Sequence, residues 1–224
     1  MSGQNAMVTR AIRRHVRPVL ERQGFDDFTG RKAWRRRQGG VIEVVDFQAV
    51  GAYSSFGVGC TSFSFAVYAG VWIPECEIEE RTPVASALGR PNYYECTFQV
   101  ILGKALAQPG AFHPYERDTD EDRFDTWAVD EDAGNLEPII TDVVRTLTTT
   151  GFPVLDELSS RANAYEALLT RNSTNSELGV PGITMPGAPG SPHWLQTVRR
   201  LAAALGRDAE ADIISAPVLQ TPTS

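Results

Sequence analysis

Cysteine is scarce in this sequence, which has three in 224 residues: Cys60, Cys76 and Cys96. Their number is odd, they lie far apart, and no two of them form a C-x-x-C pair. This pattern matches neither the disulfide framework of a secreted domain nor a zinc-binding motif. It favours a reducing compartment, and we expect a cytoplasmic protein.

Long apolar runs are also missing. No segment approaches the roughly 18 apolar residues that a membrane-spanning helix needs. Residues 1–5 (MSGQN) lack the basic and then apolar profile of a signal peptide. We therefore expect no membrane partner.

Histidine is equally rare, and His15, His113 and His193 lie in a predicted helix, an irregular segment and a predicted helix start. Nucleophilic catalysis needs a nucleophile, a base and a group that orients the base. The G-x-S-x-G nucleophile motif is missing as well. Residues distant in sequence can converge in space, so enzymatic activity is not excluded. The sequence nevertheless gives no catalytic residue and favours a non-catalytic protein.

An acidic run at residues 116–132 superficially resembles a calcium-binding loop, because Asp118, Asp120 and Asp122 alternate. However, Arg123 stands where that loop requires glycine, and Val129 stands where it requires glutamate. We interpret the run as a solvated acidic loop and expect no metal ion.

Gly51, Gly57 and Gly59 lie in a segment, residues 51–61, that invites comparison with phosphate-binding loops. The segment lacks a Walker lysine and the G-x-G-x-x-G pattern, and a predicted strand follows it where a phosphate site needs a helix. We interpret it as a loop between two strands and expect no cofactor.

Charge is unevenly distributed along the chain. The net charge is −7, but residues 1–40 carry ten Lys or Arg against three Asp or Glu, and the rest carries eleven against twenty-five. Such a division can mark a binding face, although more often the two halves neutralise each other across the fold. Because the acidic remainder would repel a polyanion, we expect no nucleic-acid partner.

Hydrophobic periodicity predicts a helix first and strands after it. Residues 5–23 have helical spacing, with a kink or a new turn at Pro18 and a cap at Gly24. Strands are predicted at residues 31–38, 41–50, 63–73 and 94–102. The clearest is 63–73, in which one alternation phase is apolar: Phe63, Phe65, Val67, Ala69, Val71 and Ile73. Gly39-Gly40 indicates a hairpin, and the strand after it is apolar in both phases, as in a central strand covered on both faces.

The helical period returns in the second half. One helix is predicted from a cap at Asn135 to Gly151, and another around Arg161–Leu169 with Tyr165, Leu168 and Leu169 on one face. Ser191-Pro192 indicates the start of a third, which ends at Gly206, and a shorter helix is predicted to about Ile214.

Strands and helices are thus segregated, which predicts an α+β fold. We expect an antiparallel sheet of four to six strands, with an N-terminal helix and C-terminal helices packed on it. The length suits one large domain or one domain with a helical appendage. We place an α+β domain at residues 1–170, a Gly/Pro/Ser-rich linker or loop at 171–192, and a C-terminal helical pair at 193–216, packed on the main domain.

Several short segments occur in the same order as similar segments of a known bacterial family. Residues 19–25 (VLERQGF), 34–36 (WRR) and 41–48 (VIEVVDFQ) are followed by 96–103 (CTFQVILG), Trp127 and 151–156 (GFPVLD). They resemble, in that order, the helix and Gly-Phe, the aromatic-basic strand, the β-branched strand, the Cys-centred strand, and the closing Trp and helix–loop of domain of unknown function 4304. The resemblance covers about residues 8–170. It implies the fold and no catalytic residue.

The basic cluster at residues 31–37 (RKAWRRR) is the sharpest local signal. On a strand, Arg35 and Arg37 share the face opposite Trp34 and Arg36, and we expect Trp34 in the core. The two arginines are candidate binding residues for phosphates or an acidic partner. The alternative is structural, because charged side chains also protect an exposed edge strand against aggregation.

Asp46 and Gln48 are the second candidate pair, because they alternate on a strand that otherwise reads as buried. Buried polar groups must be hydrogen-bonded, so the pair forms either a structural network or the floor of a pocket. The sequence leaves both interpretations open.

These patterns favour a non-catalytic bacterial interaction or immunity-type protein, which binds another protein through its sheet or its charged faces. The alternative is a small-molecule enzyme or ligand-binding protein with a pocket near Asp46 and Gln48. An enclosed pocket with convergent polar groups at that place would favour the alternative.

Overall fold

A single antiparallel sheet organises the chain. The computed structural model describes residues 3–77, 89–103, 125–170 and 182–209, and in these ranges the sheet has seven strands. They are β1 (Asp27–Thr29), β2 (Lys32–Arg36), β3 (Ile42–Ala49), β4 (Phe65–Trp72), β5 (Phe98–Leu102), β6 (Thr126–Trp127) and β7 (Gly182–Thr184). Their spatial order is β1-β2-β3-β4-β5-β7, and β6 pairs with the start of β4, beyond the end of β5. The predicted α+β class is confirmed.

The β2–β3 hairpin forms as the sequence indicates. Gly39 and Gly40 have φ angles of +76° and +82°, a conformation that residues with a Cβ rarely adopt. Strand β3 then lies between β2 and β4, and residues 42–47 are all buried. The prediction of a central strand covered on both faces is therefore confirmed.

One π-helical turn interrupts the N-terminal helix. It spans Ile12–Val16, between α1 (Gly3–Ala11) and α2 (Arg17–Arg22), and Arg17 N–H donates to the carbonyl of Ile12, five residues back. Pro18 follows at once. Proline has no N–H to donate and its ring crowds the carbonyl four residues back, so the wider turn accommodates it without ending the helix.

A second π-helical turn precedes another proline. It spans Leu147–Gly151, between α4 (Leu136–Thr146) and α5 (Phe152–Leu158), and the N–H of Phe152 donates to the carbonyl of Leu147. Pro153 follows as Pro18 does. The predicted end of this helix at Gly151 is wrong, because the π turn carries the helical backbone past the proline.

The main core lies on one face of the sheet. Phe65, Val67, Ala69 and Val71 of β4 point into it and are fully buried, which confirms the predicted alternation. The helices contribute Val16, Leu20, Leu147, Leu155, Leu158, Tyr165, Leu168, Val198 and Leu201 to the same cluster. In α6 (Arg161–Thr170), Leu169 was predicted to share the buried face, but it is 37% exposed and Ala164 is buried instead.

A smaller cluster covers the other face. Trp34 is buried there with Ile42, Val44 and Cys96, and its Nε1 donates to the carbonyl of Pro91 over 2.8 Å. Trp34 is therefore inside, as expected. The predicted strand at 94–102 begins only at Phe98, and a 3₁₀ turn, Tyr93–Glu95, precedes Cys96 and turns it to this second face.

Two local predictions need correction. The glycine-containing segment 51–61 is not only a loop, because it holds α3 (Ala52–Val58), with Gly51 and Gly59 in positive-φ conformations at its two ends. Asn135 precedes α4 as predicted, but its side chain does not cap the helix. It accepts from Asp130 N–H and donates to the carbonyl of Ala128.

The C-terminal part packs on the main core. Within the predicted linker or loop, β7 pairs with β5 at the sheet edge, and Ser191 caps α7 (Pro192–Ala204) by accepting from Trp194 N–H. Trp194 Nε1 also donates to the carbonyl of Leu168 over 3.1 Å. Residues 116–124 of the acidic run, residues 171–181 and the predicted helix to Ile214 lie outside the described residues. The division into domain, linker and helical pair stays a prediction.

None of the helices in the described ranges has the length and the apolar character that crossing a membrane requires.

Candidate functional site

Arg35 and Arg37 converge on one buried carboxylate. Strand β2 places Arg35 on the helix-covered face, opposite its cross-strand partner Glu43 of β3. The Nε of Arg35 donates to one Glu43 oxygen, and the Nε of Arg37 donates to the other over 3.0 Å. Glu43 is 0% exposed and also accepts from the Ser159 hydroxyl. A buried carboxylate with three donors is well compensated for its lost hydration.

Asp156 of α5 completes this network at the surface. Arg35 Nη2 donates to Asp156 Oδ1 over 2.8 Å, and Arg37 Nη2 donates to the same oxygen. Arg35 Nη1 reaches the carbonyl of Gln23 after α2, and its guanidinium lies 4.9 Å from the ring centre of Phe25. The two arginines are thereby held between the sheet, α2 and α5.

An open cleft of about 710 Å³ lies over this network. It is lined by Arg22, Gln23, Arg35, Arg36, Arg37, Gln38, Asp156, Ser159 and Ser160. The charged lining residues are thus four arginines and one aspartate. Arg22 is exposed and makes no ion pair with the described residues, whereas Arg36 pairs with Asp27 over 2.9 Å. The cleft is basic, and its central cations are fixed in place.

The cleft also lies along an unpaired stretch of sheet edge. Among the described residues, strand β1 pairs with β2 only between Lys32 and Trp34, so Arg35 and Arg36 have β3 alone as a neighbouring strand there. Charged side chains at such an edge discourage pairing with another chain. The arginines therefore lie where they could protect an exposed strand edge and where they could bind a partner. A binding role for Arg35 and Arg37 stays a prediction.

Asp46 and Gln48 lie on the opposite face of the sheet, so the four candidate residues do not form one site. Asp46 is 2% exposed, and its Oδ2 accepts from Gln48 Nε2 over 3.0 Å and lies 3.2 Å from Lys32 Nζ. Lys32 also donates to Asn92 Oδ1 over 2.7 Å. The pair therefore belongs to a hydrogen-bonded network. Neither residue lines the arginine-lined cleft.

An aromatic pair borders this second network. The rings of Tyr68 and Tyr93 stack with their centres 4.4 Å apart. Burial and the nearby charge of Asp46 raise the pKa of Tyr93. A tyrosine with a raised pKa keeps its proton at neutral pH, so Tyr93 does not supply a phenolate base.

The buried cysteines are not activated as nucleophiles. Burial, with a contribution from Glu75, raises the pKa of Cys76 to about 12, and burial raises the pKa of Cys96 well above its ordinary value. A reactive cysteine needs the opposite shift, because the thiolate is the nucleophile. Within the described ranges, no group of three or more His, Cys, Asp or Glu side chains is placed to hold a metal ion.

Sequence reasoning missed several parts of the arginine network. Glu43 carried a signal, because it is a charged residue flanked by apolar residues in its strand, and a hairpin centred on Gly39 places it opposite Arg35. Asp156, Ser159 and Arg22 carried none, since only the packing of α2 and α5 against the sheet brings them to the cleft.

Comparison with protein-family models gives a match to Domain of unknown function (DUF4304) over residues 16–157, well over half of the chain. No curated protein and no solved structure matches the chain.

Proposed function

From the premise that the chain belongs to the family Domain of unknown function (DUF4304), we propose that it is a non-catalytic bacterial protein that binds another protein in the cytoplasm. The partner presents a segment rich in aspartate or glutamate, and the arginine-lined cleft receives it. The observation that carries this proposal is the set of four arginines around one cleft, two of them anchored by the buried Glu43.

Anchoring makes these arginines suitable for binding. A guanidinium presents several N–H donors in a fixed fork that matches a carboxylate, and a side chain already held in place loses less entropy when it binds. Arg35 and Arg37 use their Nε atoms on Glu43, and their terminal nitrogens face Asp156 at the cleft. Arg22 and Arg36 also line the cleft.

The character of the lining favours a protein segment over a small metabolite. Pockets for small molecules are mostly apolar with a few polar groups, whereas every residue that lines this cleft is polar or charged. Polar, wet and charged surfaces are typical of the rims of protein interfaces, where charge steers association.

The small-molecule alternative near Asp46 and Gln48 ranks second. The carboxylate of Asp46 is already engaged by Lys32 and Gln48, which leaves it little capacity for a substrate. Nucleic acid ranks third, because the acidic remainder of the chain would repel a polyanion that extends beyond the cleft.

The test is titration calorimetry of the full chain with a short peptide of alternating glutamate and glycine, at low and at physiological salt. The control peptide has glutamine in place of each glutamate. We expect the acidic peptide to bind, more weakly as salt rises, and the glutamine peptide not to bind.

Charge reversal locates the interaction. Arg22→Glu reverses the charge of an exposed residue that lines the cleft. Arg10→Glu makes the same change of net charge at an exposed residue of α1 that does not line the cleft. Arg22→Glu should weaken binding by about tenfold or more, roughly the value of one charge-assisted hydrogen bond, and Arg10→Glu should leave it nearly unchanged. Equal losses in both variants, or equal binding of both peptides, would count against the proposal.

A further inference from the structure

A second cavity, of about 140 Å³, lies between the N-terminal helices and the β1–β2 hairpin. It shares no lining residue with the arginine-lined cleft. Four basic residues line it, Arg13, Arg17, Arg31 and Lys32, but the ammonium of Lys32 is directed to the other face of the sheet, toward Asp46. None of the described residues that line it carries a carboxylate. Its cations are therefore not neutralised from within the cavity.

Arg31 is a half-buried cation without a carboxylate partner among the described residues. Its Nε donates to the Thr9 hydroxyl over 3.0 Å, and its Nη2 donates to the backbone and side-chain oxygens of Asn5, so its partners are neutral. Its Nη1 is buried and has no hydrogen-bond partner in the described part of the chain. Burial lowers the pKa of Arg31, as expected for a cation that lacks a nearby anion.

Two of the other cations, Arg17 and Lys32, have carboxylate partners outside the cavity lining. Arg17 Nε bonds to Glu21 over 2.8 Å at the helix surface, and its guanidinium lies 4.3 Å from the centre of the Phe28 ring. Lys32 bonds to Asp46 and Asn92 on the second face of the sheet. Arg13 is exposed and makes no ion pair with the described residues.

The remaining walls are apolar. Ile12 and Leu20 come from the helices, and Phe28, Ala33 and Phe47 come from the sheet. The π-helical turn Ile12–Val16 supplies Ile12 and Arg13 to the cavity lining, and such turns frequently occur at functional sites. The cavity thus combines an apolar side with two arginines, Arg13 and Arg31, that have no carboxylate partner among the described residues.

We propose that this cavity binds a small organic anion, namely a short-chain carboxylic acid. Its carboxylate is held by Arg31 and Arg13 at the cavity mouth, with Arg17 beside them, and its alkyl chain contacts Leu20 and Phe47. Carboxylates match the planar guanidinium fork, and the apolar wall favours an alkyl group. An inorganic phosphate would leave that wall without a complementary partner.

The test measures thermal unfolding and calorimetric binding of the full chain with sodium butyrate, against sodium chloride of equal ionic strength. Butyramide is the uncharged isostere, and sodium phosphate is the inorganic oxyanion. We expect a saturable rise in Tm and measurable heat with butyrate, and neither with butyramide or phosphate. Failure of butyrate to bind, equal binding of butyramide, or equally strong competition by phosphate would overturn the proposal.

Variants assign the binding to the cavity. Arg31 ties α1 to the hairpin, so its removal can unfold the protein, and the exposed Arg13 is the better target. Arg13→Glu should weaken butyrate binding by about tenfold or more, and Arg14→Glu, the neighbouring exposed change outside the lining, should not. Arg22→Glu in the cleft should also leave it unchanged. Loss of binding in Arg22→Glu, or equal loss in Arg13→Glu and Arg14→Glu, would overturn this assignment, whatever the outcome of the peptide titration.

Discussion

Arg37 donates a hydrogen bond from its Nε to Oε1 of Glu43 over 3.0 Å, so a half-buried cation at the cleft is tied to a carboxylate that has no contact with solvent. Arg35 occupies the other oxygen of the same carboxylate. Glu43 therefore determines where two of the four cleft arginines lie, and its removal affects both the fold and the proposed binding surface.

Glu43→Gln should destabilise the protein strongly. The variant leaves the nearly buried Arg35 without its main counter-charge, and breaking a buried ion pair in this way costs about 3–5 kcal/mol. The measurement is the free energy of unfolding in urea. Asp156→Asn is the control, because Asp156 is 51% exposed and such a pair contributes about 1 kcal/mol or less. Similar effects of the two substitutions would refute a dominant role for Glu43.

Phe65→Asp should abolish stable folding. Phe65 is 0% exposed on β4, between Phe47 and Trp127, and an unpaired charge there exceeds what a protein stable by about 5–15 kcal/mol can tolerate. Tyr53→Asp is the control, since Tyr53 is 95% exposed. Circular dichroism melting should show no cooperative transition for the first variant and a near-native Tm for the second. A cooperative, native-like melt of Phe65→Asp would show that the packing of β4 is misassigned.

Gly70→Ala should destabilise the sheet, because a Cβ at this position would stand 2.6 Å from Cys96 Sγ and 2.8 Å from Cys96 Cβ. Forcing extra atoms into a packed site costs about 1–3 kcal/mol. Gly57→Ala in α3 is the opposite case: its Cβ meets nothing within 4 Å, and alanine in a helix is favoured by about 0.5–1 kcal/mol. Urea denaturation should give changes of opposite sign, and equal signs would contradict the close approach of Cys96 to β4.

Two of the three cysteines should resist thiol reagents in the folded protein. The raised pKa values of Cys76 and Cys96 keep both thiols protonated near pH 8, where an ordinary cysteine begins to ionise, and both are buried. Cys60 is only half-buried and should react first. Counting labelled thiols by mass spectrometry should give one before denaturation and three after. Rapid labelling of all three would contradict the burial of Cys76 and Cys96.

Local patterns predicted the parts of the fold that depend on local chemistry. The alternation in β4 gave its buried face, and Gly39-Gly40 gave the hairpin, because each depends on a few adjacent residues. The helix boundary at Gly151 was missed, since a proline alone does not reveal whether a π turn will accommodate it.

The candidate site was less predictable. Arg35 was identified as charged and placed on the correct alternation phase, yet its burial depends on Glu43, Gln23 and Asp156, which come from three other parts of the chain. Asp46 and Gln48 were identified from the sequence as a polar pair, but their partner Lys32 became evident only with the register of the strands. Ion pairs and hydrogen bonds between residues distant in sequence, rather than residue type, determine which charged side chains remain available to bind a partner.

The most direct measurement of the central claim is a heteronuclear NMR titration that follows the arginine Nε–Hε signals while the glutamate–glycine peptide is added. We predict saturable shifts for the cleft arginines Arg22, Arg36 and Arg37, with Arg10 unchanged, and no shifts with the glutamine peptide. If the acidic peptide left the cleft arginines unshifted, or bound while shifting only arginines elsewhere, the account of the cleft as an acidic-partner site would be contradicted.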